Sequence, residues 1–252
     1  MSAALSPELL LEVFADTAKA IGAAVRQIPA AERRERTDTP GQYALDLIAD
    51  AAGLAVLSKV PVKILSEESS WSGASDSSIT VVIDPVDGST NCARGIPYFA
   101  TSISALVNGE FYASLVQNLA TGTATTATPD GVWRDGVPVQ SSSVTAIERS
   151  VVAVSGLPSA HLAWKQFRAL GSCALALCDV AAGLLDAYVD TGRWHRPWDY
   201  LGGLHACTHS GAVFIETHGE ELIVAEDGAT RGMLVAATPE LLEALRPIIP
   251  AA

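Results

Sequence analysis

The segment ITVVIDPVDGSTN (Ile79–Asn91) constrains this chain more than any other. Ile79–Ile83 is an unbroken run of β-branched residues, which predicts a buried strand. The strand ends in Asp84, and a carboxylate there is costly unless it is paired or liganded. Pro85 stiffens the turn, and Asp87 follows three residues after Asp84, so both carboxylates can face one point. Gly88 then permits close backbone approach. Ser89-Thr90-Asn91 is a run of helix N-cap types. A short helix starting there would aim free N–H groups at an anion.

Other acidic positions fall at the ends of predicted elements. VKIL is a short strand that delivers Glu67 and Glu68, and Asp199 opens a helix from about Trp198 to Ser210. Upstream, Ser6-Pro7-Glu8 reads as a helix start, with helices to about Ile28 and from about Tyr43 to Lys59. WSGASDSS reads as a turn-rich connection. TSISALV and FYASLVQN alternate around the Asn108-Gly109 turn, and the meander runs on to VPVQ. After Ser141–Ser143 the pattern becomes α/β. It comprises strand VVAVS, helices at about Ser159–Arg168 and Ser172–Gly183, strand DAYVD, the Asp199 helix, strands AVFIE, LIVA and MLVAA, and a last helix from Pro239. The chain is accordingly divided into an N-terminal α+β part, residues 1–140, and a C-terminal α/β part, residues 141–252.

Composition restricts the partners. The net charge of −12 repels nucleic acid and anionic membranes. An anionic substrate is still allowed, because bound cations invert the local field. No uninterrupted apolar run approaches about 18 residues, so no membrane span is expected. The opening MSAALSPELLLEVF, with Glu8 and Glu12, is unlike a secretory signal, and the expected compartment is the cytoplasm. Cys92, Cys173, Cys178 and Cys207 form no C-x-x-C pair and read as reduced, buried thiols. His205 and His209 lie four apart, but H-A-C-T-H lacks the general-base glutamate of zinc proteases.

Hard carboxylate oxygens suit Mg²⁺, which retains waters and contacts substrate phosphate. Two such ions about 3.5–4 Å apart can clamp the attacking and leaving oxygens of an in-line displacement. IDPVDGSTN, with SEES (Ser66–Ser69) upstream and PWDYLGG (Pro197–Gly203) downstream, resembles the signature of the inositol monophosphatase family. The resemblance covers nearly the whole chain. It implies a layered αβαβα sandwich, two or three Mg²⁺ per active site, a small phosphorylated metabolite as substrate, and a homodimer.

By the same resemblance, Glu67 would ligate one Mg²⁺ together with the carbonyl of Val86. Asp84 would bridge to a second ion, completed by Asp87 and Asp199. Gly88 and Ser89 would offer N–H groups to the phosphate, and the Ser89 hydroxyl would orient the attacking water, partnered by Asp46. Asp50, one turn on, competes for that last role. Glu68 could steer Glu67 or a bound water.

Gly171-Ser172-Cys173-Ala174 resembles the family's substrate-facing turn, and Asp190 stands where the family has a hydroxyl-binding glutamate. The link Arg193–Asp199 is about two residues longer than usual and brings Arg193, His195 and Arg196 beside the site. The arginines could bind a second anionic group. The expected function is Mg²⁺-dependent hydrolysis of a phosphorylated polyol or sugar. The same motifs serve histidinol-phosphate, fructose-1,6-bisphosphate and 3′-phosphoadenosine 5′-phosphate phosphatases. A non-catalytic metal- or ligand-binding regulatory protein is the alternative of another class.

Overall fold

A computed structural model describes residues 5–158 and 162–248. Helix α1 (Pro7–Gln27) starts where Ser6 Oγ accepts the Leu9 amide, with Pro7 in its first turn. Its buried stripe is Leu10, Phe14, Ile21 and Val25, set by the helical period. Helix α2 (Ala44–Leu57) packs beside it.

Eight strands follow as one sheet in the order β2-β1-β3-β4-β5-β6-β7-β8. They are β1 (Lys63–Ser66), β2 (Ser70–Gly73), β3 (Ile79–Asp87), β4 (Ala100–Val107), β5 (Glu110–Asn118), β6 (Ala124–Thr128), β7 (Gly131–Arg134) and β8 (Val137–Pro138). The short helix α3 (Ser89–Arg94) follows β3 directly. A second sheet has the order β10-β9-β11-β13-β12. Its strands are β9 (Val151–Ser155), β10 (Gln166–Arg168), β11 (Ala187–Asp190), β12 (Val213–Glu216) and β13 (Met233–Ala236). Helices α4 (Cys173–Ala181) and α5 (Pro197–Ser210) lie between the sheets, and α6 (Pro239–Leu245) covers the far face of the second.

Three apolar clusters hold the layers together. Leu10, Phe14 and Ile21 meet Ile64, Val81 and Ile83 on one face of the large sheet. Leu177, Tyr200 and Leu201 fill the middle with Val82, Val116 and Val235. Val152, Val189 and Leu234 close the third against Leu241 and Leu245. The result is the layered αβαβα sandwich. No described helix is long and apolar enough to cross a membrane.

Three local expectations are corrected. WSGASDSS is not all turn, because Ser70–Gly73 pairs antiparallel with β1 as a hairpin, with Ser70 at φ 59°. The helix expected over Ser159–Arg168 is absent from its described part. Gln166–Arg168 instead joins the open edge of β9, where backbone pairing outweighs propensity; positions 159–161 lie outside the described residues. LIVA (222–225) is no strand. The Leu222 carbonyl accepts the Tyr200 hydroxyl at 2.9 Å and the Val224 amide at 3.0 Å, which removes it from any ladder.

Candidate metal and phosphate site

Parallel pairing of β1 with β3 aligns Ser66 with Ile83, so the next residues, Glu67 and Asp84, emerge side by side. The Glu67 amide donates to the Ile83 carbonyl at 3.1 Å, and the β1–β2 turn holds Glu67 and Glu68 at that edge. Asp199 arrives from the opposite layer, in the first turn of α5, where its Oδ2 accepts the Arg196 amide at 2.7 Å. Carboxylate oxygens of Glu67, Asp84 and Asp199 all lie within 4.8 Å of one another. Asp84 Oδ1 also accepts the Val86 amide at 2.8 Å, which fixes its rotamer.

Asp87 is anchored at the start of α4. A bulge separates it from Asp84 in the pairing with β4. Its Oδ2 accepts the Ser172 hydroxyl at 2.5 Å and the Ala174 amide at 2.8 Å, at the start of α4. Gly88 has φ 88°, and a Cβ there would lie 2.8 Å from the Gly171 carbonyl oxygen. Only glycine fits this crossing of the Asp87 loop with the Gly171 turn.

These carboxyls disturb one another. Burial, then the charges of Glu67, Asp87 and Asp199, holds the Asp84 carboxyl well above its usual range. Burial and Asp199 push Asp87 up to about 7, against the opposing bonds from Ser172 and Ala174. Desolvation, then the charges of Asp199 and Glu68, raises Glu67; it is the exposed member of the group, so solvent weakens the effect there, whereas Asp84 is nearly inaccessible. Burial also lifts Asp46 to about 7, and its Oδ1 has no hydrogen-bond partner. A group of mutually repelling oxygens, with a further buried oxygen unsatisfied nearby, fits a hard divalent cation.

Two cavities flank the group. One of about 450 Å³ is lined by Gln42, Asp46, Glu67, Glu68, Ser89 and Arg196, among others. Here Glu68 accepts Gln42 Nε2, and Ser89 shares the wall with Asp46, although no hydrogen bond joins the two. Asp46 Oδ2 instead accepts the Tyr43 amide at 2.9 Å, and Asp50 accepts the Ser66 hydroxyl at 2.6 Å. The other cavity, about 300 Å³, is lined by Asp87, Ser155, Ser172, Cys173, Tyr188 and His195, among others.

Asp190 lies buried at the end of β11, outside both linings. Its Oδ1 accepts the Gly192 amide at 3.0 Å, and its Oδ2 is unpartnered. Arg193 is turned away from both cavities. It donates to Glu220 Oε2 at 2.6 Å and to the Thr230 carbonyl at 3.1 Å.

The long link places His195, more than Arg193, at the site. His195 Nε2 meets the Tyr188 hydroxyl at 2.5 Å, and Nδ1 lies 3.5 Å from Asp199 Oδ2. The imidazole thus connects the cavity wall to the metal-side carboxylate. Two further site residues, Tyr188 and Asp227, carry no local signal. Tyr188 sits within the wholly buried strand β11, and Asp227 lines the 450 Å³ cavity, where it accepts the Ser70 hydroxyl at 2.5 Å.

A separation of roles follows for the two arginines. Arg196→Ala should raise the KM of a bisphosphate substrate about tenfold or more, the size of a charge-assisted hydrogen bond. Arg193→Ala should leave the bisphosphate-to-monophosphate preference unchanged and weaken Mg²⁺ activation only a few-fold, because its partly exposed ion pair is worth about 1 kcal/mol or less. Steady-state kinetics on matched mono- and bisphosphates checks both.

Known proteins share the fold and part of the sequence. The model of the inositol monophosphatase family matches residues 8–251. A relative named fructose-1,6-bisphosphatase/inositol-1-monophosphatase, from Archaeoglobus fulgidus, is 31% identical, with 94% of this chain and 98% of that protein covered. The Nus factor SuhB of Escherichia coli K12 is 28% identical over 72% of this chain and 71% of its own. Among solved structures, a Pyrococcus horikoshii protein described as similar to inositol-1 monophosphatase superposes with a TM-score of 0.83 at 22% identity. That match covers 97% of this chain and 98% of the other, and it speaks for the fold. With the family model spanning almost its full length, the chain belongs to the inositol monophosphatase family.

Proposed function

We propose that the protein is a Mg²⁺-dependent phosphomonoesterase acting on a small phosphorylated polyol or sugar. One observation carries this reading: the convergence of Glu67, Asp84 and Asp199 within 4.8 Å, from two layers of the fold. Bound Mg²⁺ would make a coordinated water acidic and shield the phosphoryl oxygens.

The chain's own groups do the rest. Glu67, Asp84 and Asp199 hold the cation, with Asp87 and the Val86 carbonyl as the remaining ligands. Gly88 and Ser89 begin α3 beside them and supply amides to the phosphoryl group. Ser89 and Asp46 line one cavity, where the hydroxyl can orient water and the unpartnered Asp46 Oδ1 can accept its proton. The 300 Å³ cavity, with Ser155, Cys173 and Tyr188 in its wall, receives the alcohol portion. His195, in the same wall, bears on the choice of alcohol, and Asp190 acts through it.

Arg196 in the wall beside Glu67 favours a second reading, in which the substrate carries two phosphates. The name of the Archaeoglobus relative, which couples both activities, supports weighing the two together. A homodimer in the cytoplasm completes the proposal, and sedimentation at the 26.2 kDa of one chain would remove the dimer.

Phosphate release from myo-inositol 1-phosphate, histidinol phosphate, fructose 1,6-bisphosphate, 3′-phosphoadenosine 5′-phosphate and glucose phosphates, with Mg²⁺ or EDTA, tests the function. Release that requires Mg²⁺ is expected from one or a few of them. Release equal in EDTA would refute the metal-dependent reading.

A further inference from the structure

A pocket of opposite charge lies at the other end of α3. Its volume is about 290 Å³, and Arg33, Arg34 and Arg94 line it, the rest of the wall being alanine and glycine. Ser89, at the start of α3, lines the metal-side cavity, whereas Arg94 and Gly95 close the helix at this pocket. Six residues of helix place the two ends about 9 Å apart.

The three arginines stand out against the charge of the chain, which has 28 acidic residues to 16 basic ones. Among the described residues, Arg134, Arg193, Arg231 and Arg246 each meet a carboxylate within 4.0 Å. Arg33, Arg34 and Arg94 meet none, and they differ from the other arginines without such a partner in lining one pocket together. Each guanidinium has five donors. The one side-chain hydrogen bond these three make among the described residues is from Arg33 Nε to the Ile28 carbonyl, at 3.1 Å.

Basic residues often sit near helix C-termini to offset the macrodipole. That role explains Arg33 beside the end of α1 and Arg94 at the end of α3. It does not explain Arg34, nor why the three line one concave space with only alanine and glycine between them. Gathering like charges is unfavourable unless an anion joins them.

We propose that Arg33, Arg34 and Arg94 form a second anion site, separate from the metal centre, for the phosphate group of a small phosphorylated metabolite. The size of the pocket suits a phosphate with a short organic portion. A polyanion such as nucleic acid would extend past the pocket onto a surface of net charge −12, which repels it.

The site is joined to the metal-side cavity through one segment. From Arg33 and Arg34 the chain runs to Arg36, which donates to the Gly41 carbonyl at 2.8 Å and stacks on Tyr43 with its guanidinium 3.6 Å from the ring centre. Gln42 then donates to Glu68, and Thr39–Gln42 line the metal-side cavity. An anion held at the start of this segment therefore fixes part of the wall of the catalytic cavity.

The test is calorimetric titration with inorganic phosphate at low salt in EDTA, so it stands apart from the proposed phosphatase activity. Wild type, Asp84→Asn and the double variant Arg34→Gln/Arg94→Gln are compared. Wild type and Asp84→Asn should bind phosphate alike, and the double variant should bind at least about tenfold more weakly. Circular dichroism checks that the double variant folds, and Arg34→Gln alone, at an exposed position, is the fallback if it does not. No binding to wild type up to about 10 mM phosphate, or equal binding by the arginine variants, would overturn the proposal. Loss of binding in Asp84→Asn alone would do the same, by assigning the phosphate to the metal centre.

Discussion

Replacing Asp84 by asparagine should abolish phosphate release while raising the melting temperature of the metal-free protein. Asp84 is 2% exposed and lies among Glu67, Asp87 and Asp199, whose charges raise its pKa well above the usual value. Asparagine keeps an oxygen to accept the Val86 amide, so the loop geometry has reason to survive. The substitution removes one buried like charge, which should stabilise the metal-free fold by about 1–2 kcal/mol, or about 2–8 °C for a chain of this size. The same change removes the proposed bridging metal ligand, and activity should fall by about 10³-fold or more. Saturating Mg²⁺ should stabilise wild type by about 3 kcal/mol at a hundredfold excess over its Kd, and Asp84→Asn hardly at all. Scanning calorimetry with and without Mg²⁺ checks these opposite signs. A less stable metal-free variant would show that Asp84 serves the fold more than the site.

The second large effect concerns acid. His205 is wholly buried in α5, stacked on Phe111 with ring centres 4.6 Å apart and edge-on to His209 at 5.3 Å. Neither of its ring nitrogens has a hydrogen-bond partner. Burial, then the neighbouring His209, depresses its pKa to about 3. The unfolded chain titrates this group near 6.5, so below that pH protonation favours unfolding. The contribution to stability is therefore intact above pH 6.5 and is lost as the pH falls from 6.5 toward 3. The full loss is about 5 kcal/mol, a large part of an ordinary folding free energy. His205→Leu should flatten this limb of the stability profile. It should also raise stability at pH 7 by about 1–3 kcal/mol, since two unsatisfied buried nitrogens are removed. Urea unfolding between pH 4 and 8 gives the comparison, and equal slopes for both proteins would contradict the assignment.

Much of the fold follows from patterns shorter than ten residues. The Ser6-Pro7 start of α1, the β-branched Ile79–Ile83 run and the Asn108-Gly109 turn each specify their element locally. The departures arise where a neighbour decides. Ser70–Gly73 becomes a strand because β1 is there to pair with it, and Gln166–Arg168 extends because β9 has an open edge. Leu222 gives its carbonyl to Tyr200, a partner from another layer.

The site divides in the same way. Glu67, Asp84 and Asp199 were legible because carboxylates at the ends of apolar elements demand an explanation, and the structure brings them together. The roles of Arg193 and His195 were not. The residues from Arg193 to Arg196 are all polar or aromatic, and the 217–232 segment sets the direction of Arg193 and His195. Glu220 and Thr230 draw Arg193 outward, and the Arg231 amide holds the His195 carbonyl at 2.8 Å. Those contacts lie more than twenty residues along the chain, beyond any local pattern.

The central claim is that Glu67, Asp84 and Asp199 hold a catalytic cation. The most direct measurement is calorimetric titration of Mg²⁺ into wild type and Asp84→Asn, beside phosphate release by the same preparations. Mg²⁺ binding and Mg²⁺-dependent release are expected in wild type, with both lost in the variant. Undiminished Mg²⁺ binding by Asp84→Asn, or release by wild type that persists in EDTA, would contradict it.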